Sequence, residues 1–221
     1  MLAVVGSMLL VAFAGVAWAA DITCTGGRCE GTNELDQITG SDQRDLIFAL
    51  AGFDFAWAGA GEDELHGNNG NDTLAGETDN DTYFGGRGED LLSEFLGVVD
   101  ASDDELNGGP NRDTIDGFEG DDILRGQEGN EHAPGDPQWS YMLGGPGDDE
   151  LYGGPGDDAM EGDQGTDEHF GGKNNDYIDA SAKQTPDPDA PDLVDCGSSF
   201  DTAVVLPNDI VLTNCERVIE E

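Results

Sequence analysis

Residues 144–162, GGPGDDELYGGPGDDAMEG, state one phrase twice: GGPGDD begins at Gly144 and again at Gly153, nine residues later. Reading outward in nine-residue units extends the phrase over most of the chain. In a frame that opens at Gly31, position six is Asp36, Asp45, Asp54, Asp63, Asp72, Asp81 and Asp90. Position eight is Ile38, Ile47, Ala56, Leu65, Leu74, Tyr83 and Leu92. Five residues, EFLGV at 94–98, interrupt the frame, which resumes at Val99. Position six then reads Asp104, Asp113, Asp122, Glu131, Ser140, Asp149, Asp158, Asp167 and Asp176. Position eight reads Leu106, Ile115, Leu124, Ala133, Met142, Leu151, Met160, His169 and Ile178. The segment EHAPGDPQWSYML looks like a loop, yet it keeps the frame to the residue. A second break, ASAKQTP at 180–186, precedes two weaker units that carry Asp192 with Val194 and Asp201 with Ala203.

A fixed register of acid and apolar residue argues against a random acidic polymer. Glycine at this density argues against helix, and nine is neither a helical nor a heptad period. A short strand plus a tight turn fits. Its middle apolar residue points inward and its neighbours outward. Two units then make one flattened coil, so that each unit stacks on the second one after it.

Composition sharpens this. The 221 residues include 34 Gly, 49 Asp plus Glu and 8 Lys plus Arg, for a formal net charge of −41. A compact state with that charge repels itself. Either the chain is a disordered acidic polymer, or cations neutralise it and folding is coupled to their binding. Nucleic acid is excluded as a partner, since phosphate binding needs basic patches.

The units GGRGED, GGPGDD (twice), GNNGND and AGAGED resemble the RTX, or haemolysin-type, calcium-binding repeats of bacterial exoproteins. The resemblance covers residues 31–179 well and 187–204 weakly. It implies an all-β fold, a parallel β-roll (a right-handed β-solenoid of nonapeptide repeats), with calcium held by paired turns. It also implies secretion. Glycine brings backbone carbonyls close to one point, and calcium takes six to eight hard oxygens from carbonyls and carboxylates. A site needs two competent turns two units apart. The expected pairs are Asp63 with Asp81, Asp72 with Asp90, Asp149 with Asp167 and Asp158 with Asp176, with Asp104 and Asp122 a weaker pair. Asp113 is a further ligand, and Gly85, Gly88, Gly144, Gly147, Gly153 and Gly156 shape the turns. Roughly five to ten ions are expected from the oxygens each requires. The acids at position five, Glu62, Glu89, Asp148 and Asp157, are expected to be solvated.

The chain divides into a signal peptide (1–19), an N-terminal cap (20–30), a first repeat block (31–93), an insertion (94–98), a second block (99–179), a break (180–186), and degenerate repeats with a C-terminal cap (187–221). Residues 1–20 carry no charged side chain and include Ala17-Trp18-Ala19, so cleavage before Ala20 is expected. The alternative is an uncleaved anchor. No membrane contact is expected after cleavage. The segment VDCGSSFDTAVVLPNDIVLTNCERV resembles capping segments that follow such repeats. Cys24, Cys29, Cys196 and Cys215 allow three pairings. Nearness favours Cys24–Cys29 and Cys196–Cys215, which would tie small caps in an oxidising compartment.

Other chemistry is sparse. His66, His132 and His169 are isolated, without a metal or triad motif. His169 falls at an inward position beside Phe170, and a one-residue slip would exchange them. Phe53, Phe55 and Trp57 form an outward aromatic cluster, to be read as a cap contact beneath the Cys24–Cys29 segment or as a sugar or partner surface. A secreted calcium-binding protein with a structural or surface-interaction role is the preferred reading, with no catalytic residues and a cell-surface or polysaccharide partner. The rivals are an accessory module or divergent member of an extracellular polysaccharide-modifying or hydrolytic enzyme, and a disordered acidic cation buffer.

Overall fold

The computed structural model describes residues 20–94, 101–129, 142–181 and 191–220. The expected signal peptide, Glu131, His132, Ser140, most of the 94–98 insertion and most of the 180–186 break lie outside these residues. Among the described residues there are twenty-one strands and no helix, so no helix is long and apolar enough to cross a membrane. The strands alternate between two parallel sheets, one of eleven and one of ten. The first sheet starts with Ala20–Thr23 and the second with Gly27–Glu30. A disordered polymer is thereby ruled out as a description of this fold, a parallel β-solenoid.

Register follows the nine-residue frame. Ala56 pairs with Ile38 and Leu74, and Leu65 pairs with Ile47 and Tyr83, each eighteen residues away. Across the first interruption Tyr83 pairs with Leu106 and Leu92 with Ile115, twenty-three residues apart. The five extra residues are therefore added to one coil without shifting the stack. Across the second break His169 pairs with Val194 and Ile178 with Ala203, twenty-five apart.

One part of the sequence reading is corrected. Ile115 pairs with Met142 and Leu124 with Leu151, twenty-seven residues apart rather than eighteen. The stack passes over one whole nine-residue unit in the stretch that includes Glu131. The frame survives because exactly one unit's worth of residues is omitted, but Met142 lies in the first sheet, where counting units puts it in the second.

The core is two columns of inward side chains. Ile38, Ala56, Leu74, Leu92, Ile115, Met142, Met160, Ile178 and Ala203 come from one sheet. Ile47, Leu65, Tyr83, Leu106, Leu124, Leu151, His169 and Val194 come from the other. All are buried. Each large apolar side chain so buried contributes about 2 kcal/mol, and eighteen residues per coil supply only two. This is a thin core.

Both favoured disulfides are present, Cys24–Cys29 and Cys196–Cys215. The segments read as caps carry strands that continue the stack. Ile22 pairs with Ile38 and Cys29 with Ile47 at one end. Val194 pairs with Val211 and Ala203 with Val218 at the other. Phe55 and Trp57 stand outward on a strand that pairs with Asp36–Ser41, not with the first coil, so they do not lie beneath the Cys24–Cys29 segment. Their rings stack at 6.0 Å, and Phe53 is exposed in the preceding turn.

Candidate metal centre

Position six builds the interior of each turn. Every described aspartate at this position is buried. Strands begin at it, as in Asp36–Ser41 and Asp45–Gly52, or just after it, so the carboxylate sits at the turn while the apolar residue two further on enters the core. Along the columns the backbone N–H of one aspartate donates to the Oδ1 of the aspartate in the next coil: Asp63 to Asp81 at 2.8 Å, Asp72 to Asp90 at 2.8 Å, Asp104 to Asp122 at 2.7 Å, Asp149 to Asp167 at 3.0 Å and Asp158 to Asp176 at 2.9 Å. Asp113 accepts in the same way from Asp90 at 2.8 Å. All five expected pairs are thus adjacent. The links also cross the interruptions, Asp81 to Asp104, Asp122 to Asp149, Asp167 to Asp192 and Asp176 to Asp201. Two carboxylate columns result, one on each edge of the solenoid.

The second oxygen is spare. Oδ2 of Asp54, Asp63, Asp72, Asp81, Asp90, Asp113, Asp122, Asp149, Asp176 and Asp201 is buried without a hydrogen-bond partner. Leaving a buried carboxylate oxygen so costs on the order of 1–3 kcal/mol or more. The glycines define what it faces. A Cβ on Gly67 would lie 2.6 Å from Asp72 Oδ2 and 2.5 Å from the Gly85 carbonyl oxygen. A Cβ on Gly85 would meet Asp90 Oδ2 at 2.7 Å and the Gly108 oxygen at 2.6 Å. Gly153 repeats this with Asp158 and Gly171, both at 2.6 Å, and Gly144 approaches Asp149 Oδ2 at 2.3 Å. At position four the coils touch directly. A Cβ on Gly88 would lie 1.5 Å from the Gly70 oxygen, on Gly147 1.7 Å from the Gly120 oxygen, and on Gly156 1.5 Å from the Gly129 oxygen. Carbonyl columns therefore run beside the carboxylate columns.

These are hard oxygen donors without hydrogens of their own, the set that suits calcium. Burial lifts the carboxyls far above their usual range, against the opposing pull of the backbone N–H bond. Asp81 and Asp149 rise to about 9, and Asp113, Asp122 and Asp176 to about 8. Asp54 and Asp72 rise to about 7, and Asp63 and Asp90 to about 6. Neighbouring carboxylates in the column add to the rise at most of these positions. Bound cations supply the countercharge that such oxygens lack.

The turns are not equivalent. At the N-terminal end Thr32 and Ser41 replace the second glycine. The Ser41 N–H and hydroxyl both bond Asp45 Oδ2, at 2.8 and 2.9 Å, while the Thr32 N–H bonds Asp36 Oδ2 and its hydroxyl bonds Asp36 Oδ1 at 3.1 Å. Ala49 and Ala58 occupy position one ahead of Asp54 and Asp63, which puts a methyl group where Gly67 and Gly85 leave room.

Position five carries a second ladder that sequence reasoning missed. Asp103 accepts the Asp121 N–H at 3.1 Å, Asp121 the Asp148 N–H at 2.9 Å, and Asp148 the Thr166 N–H at 2.8 Å. Asp157 and Asn71 do the same for Asn175 and Glu89. Asp148 and Asp157 are thus bonded to neighbouring coils rather than merely solvated. The recurrence of short Asp or Asn at this position was the available signal.

His169 is fully buried and Phe170 stacks outward on Tyr152 at 4.7 Å, so the strand has not slipped. The Leu193 carbonyl favours a charged ring, but burial wins and holds the imidazole down at about 4. Neither ring nitrogen has a partner of hydrogen-bonding geometry. His66 is on the outer face, stacked between Phe48 and Phe84 at 4.6 and 4.7 Å, with Arg28 over Phe48.

A parallel β-solenoid whose edges are columns of buried carboxylates and stacked carbonyls is a cation-binding roll. The chain belongs to the RTX calcium-binding nonapeptide repeat family, which matches it four times, over residues 30–56, 57–92, 99–130 and 141–168. The matched stretches cover more than half of the chain and skip the first interruption and residues 131–140, next to which the stack jumps. No curated protein matches this chain. The repeats bind calcium, and the many buried aspartates fit several ions.

Proposed function

We propose that this is an exported calcium-binding β-roll that folds on calcium and serves a structural or surface-interaction role. The observation that carries the reading is the pair of buried carboxylate columns with spare Oδ2 atoms. At neutral pH an unneutralised column opposes folding, and cations that bind only the folded state drive it. Ligand roles fall to Asp63, Asp72, Asp81, Asp90, Asp104, Asp113, Asp122, Asp149, Asp158, Asp167 and Asp176, with carbonyls from the glycine turns. Export is supported by two disulfides, which persist in oxidising compartments, and by the apolar leader that ends near Ala20. Sites of this kind suit extracellular calcium at 10⁻⁴–10⁻³ M, roughly.

The test is far-UV circular dichroism of the chain from Ala20 onward in chelator, in calcium and in magnesium. A coil-to-β transition with calcium and not magnesium is expected. A β signal already complete in chelator at pH 8 would mean that the apolar columns and disulfides suffice, and would sink the coupling.

A further inference from the structure

The five-residue interruption contains a residue that the repeat does not explain. Glu94 stands eighteen residues after Gly76, where the next coil would place its first glycine. In the other coils that position offers a backbone carbonyl beside the aspartate. Here it offers a side chain, and Glu94 is only 4% exposed. Carboxylate oxygens of Asp81, Glu94 and Asp104 lie within 4.8 Å of one another, all three residues buried.

Two observations point to a ligand. Asp81 Oδ1 is taken by the Asp63 N–H at 2.8 Å, while Asp81 Oδ2 is buried without a partner. Gly76 leaves that oxygen its space, for a Cβ there would lie 1.8 Å from it. Tyr83 then holds the third carboxylate in place. It is the one described tyrosine in the inward columns, and its hydroxyl accepts the Gly76 N–H at 2.8 Å and donates to Glu94 Oε1 at 3.1 Å. With both bonds made, Tyr83 acts as a positioning residue. The repeat turns combine one carboxylate per unit with carbonyls, whereas this cluster brings three carboxylates together.

We propose that Glu94 joins the position-six aspartates Asp81 and Asp104 in a three-carboxylate hard-cation site at the interruption, set up by Tyr83 and filled before the other repeat turns. The inference rests on the calcium reading above and adds a ligand, Glu94, that the nonapeptide pattern does not encode. Three carboxylates with no soft donor select calcium or a trivalent lanthanide over zinc or copper.

Terbium tests it on the full chain. Crystals grown with one equivalent of terbium should show their strongest anomalous peak among the three carboxylates. Peaks in the repeat turns with none at this cluster would overturn the proposal alone, and no peak anywhere would also defeat the calcium reading. In solution, tyrosine-sensitised terbium emission should report the first equivalent. Glu94→Gln should weaken that first equivalent at least tenfold, whereas Glu62→Gln at an exposed position five should leave it unchanged. An unchanged first equivalent in a folded Glu94→Gln protein refutes the site. Should that variant fail to fold, the anomalous peak in the unaltered chain decides.

Discussion

Gly88→Ala isolates what holds the coils so close. Gly88 has φ +149°, and a Cβ there would lie 1.5 Å from the Gly70 carbonyl oxygen. Real contacts of this kind stay above 3.0 Å, so the two coils must part locally by about the difference. Two bonds span them at that point, Glu89 N–H to Asn71 at 3.1 Å and Asp72 N–H to Asp90 at 2.8 Å. Both would stretch beyond hydrogen-bonding distance. Each is worth about 1 kcal/mol, and the buried Asp72 pair adds a cost for groups left unsatisfied. Left-handed backbone strain adds about 1–2 kcal/mol. Roughly 4 kcal/mol of destabilisation follows. Gly27→Ala is the control, because Gly27 has φ +85° but nothing within 4 Å of its Cβ position. It should lose only about 1 kcal/mol, from strain. Urea unfolding in saturating calcium, followed by circular dichroism, measures both. Losses within 1 kcal/mol of each other would show that strain and not coil contact demands glycine at position four, and the stacking argument would fall.

Other consequences can be checked on the same assay. His169→Leu should stabilise the roll by about 1–2 kcal/mol, since it removes two buried nitrogens without partners; any loss of stability contradicts this. The same substitution should remove an acid sensitivity. His169 is held at about 4 when folded and is near 6.5 when unfolded, so it costs stability as pH falls through that window. The aspartates act in the opposite direction. Their folded values of about 6 to 9 exceed the unfolded value, so the metal-free roll binds extra protons and loses stability as pH rises from about 4 to about 9. In chelator the β signal should be stronger at pH 5 than at pH 9, and calcium binding at pH 7 should release protons in a pH-stat; the reverse order, or no release, refutes the assignment. Deleting residues 131–139 should leave stability within about 1 kcal/mol, because an eighteen-residue spacing from Ile115 to Met142 is restored. A collapse of the fold would refute this.

The nine-residue frame made the architecture legible because every unit contributes one aspartate and one apolar residue, and a stack eighteen residues deep repeats both. The interruptions of five and seven residues could be placed because they shift the frame visibly. The omitted unit could not. A frame read modulo nine does not record which of two sheets a unit joins, so the loss of one unit leaves Met142 in frame while moving it to the other sheet. The favoured disulfides were legible from nearness alone. Glu94 was not, because its place in the pattern asks for glycine and its burial depends on how the chain leaves the coil after Ser93. The outward rings of Phe48, His66 and Phe84 were equally hidden, since stacking along the axis joins residues eighteen apart at positions the repeat leaves free.

Position-six aspartates such as Asp72 and Asp149 perform two tasks that pull against each other. In each, Oδ1 satisfies a backbone donor in the neighbouring coil, which an uncharged Asn could also do. Oδ2 is left charged or protonated at a depth where water does not reach it. Strand spacing fixes successive coils about 4.8 Å apart. Two unit charges at that distance repel by roughly 3 kcal/mol at an effective dielectric of 20. A few such neighbours in each column match the whole net stability of an ordinary domain, about 5–15 kcal/mol. Two apolar side chains per coil do not offset this. The column must therefore be protonated or neutralised by cations, and above about pH 9, the highest of its carboxyl values, only the second remains. On the proposed reading calcium is in that sense a condition of the stack, and the period of nine is the spacing at which one chain supplies carboxylate, carbonyl and apolar residue to it at once.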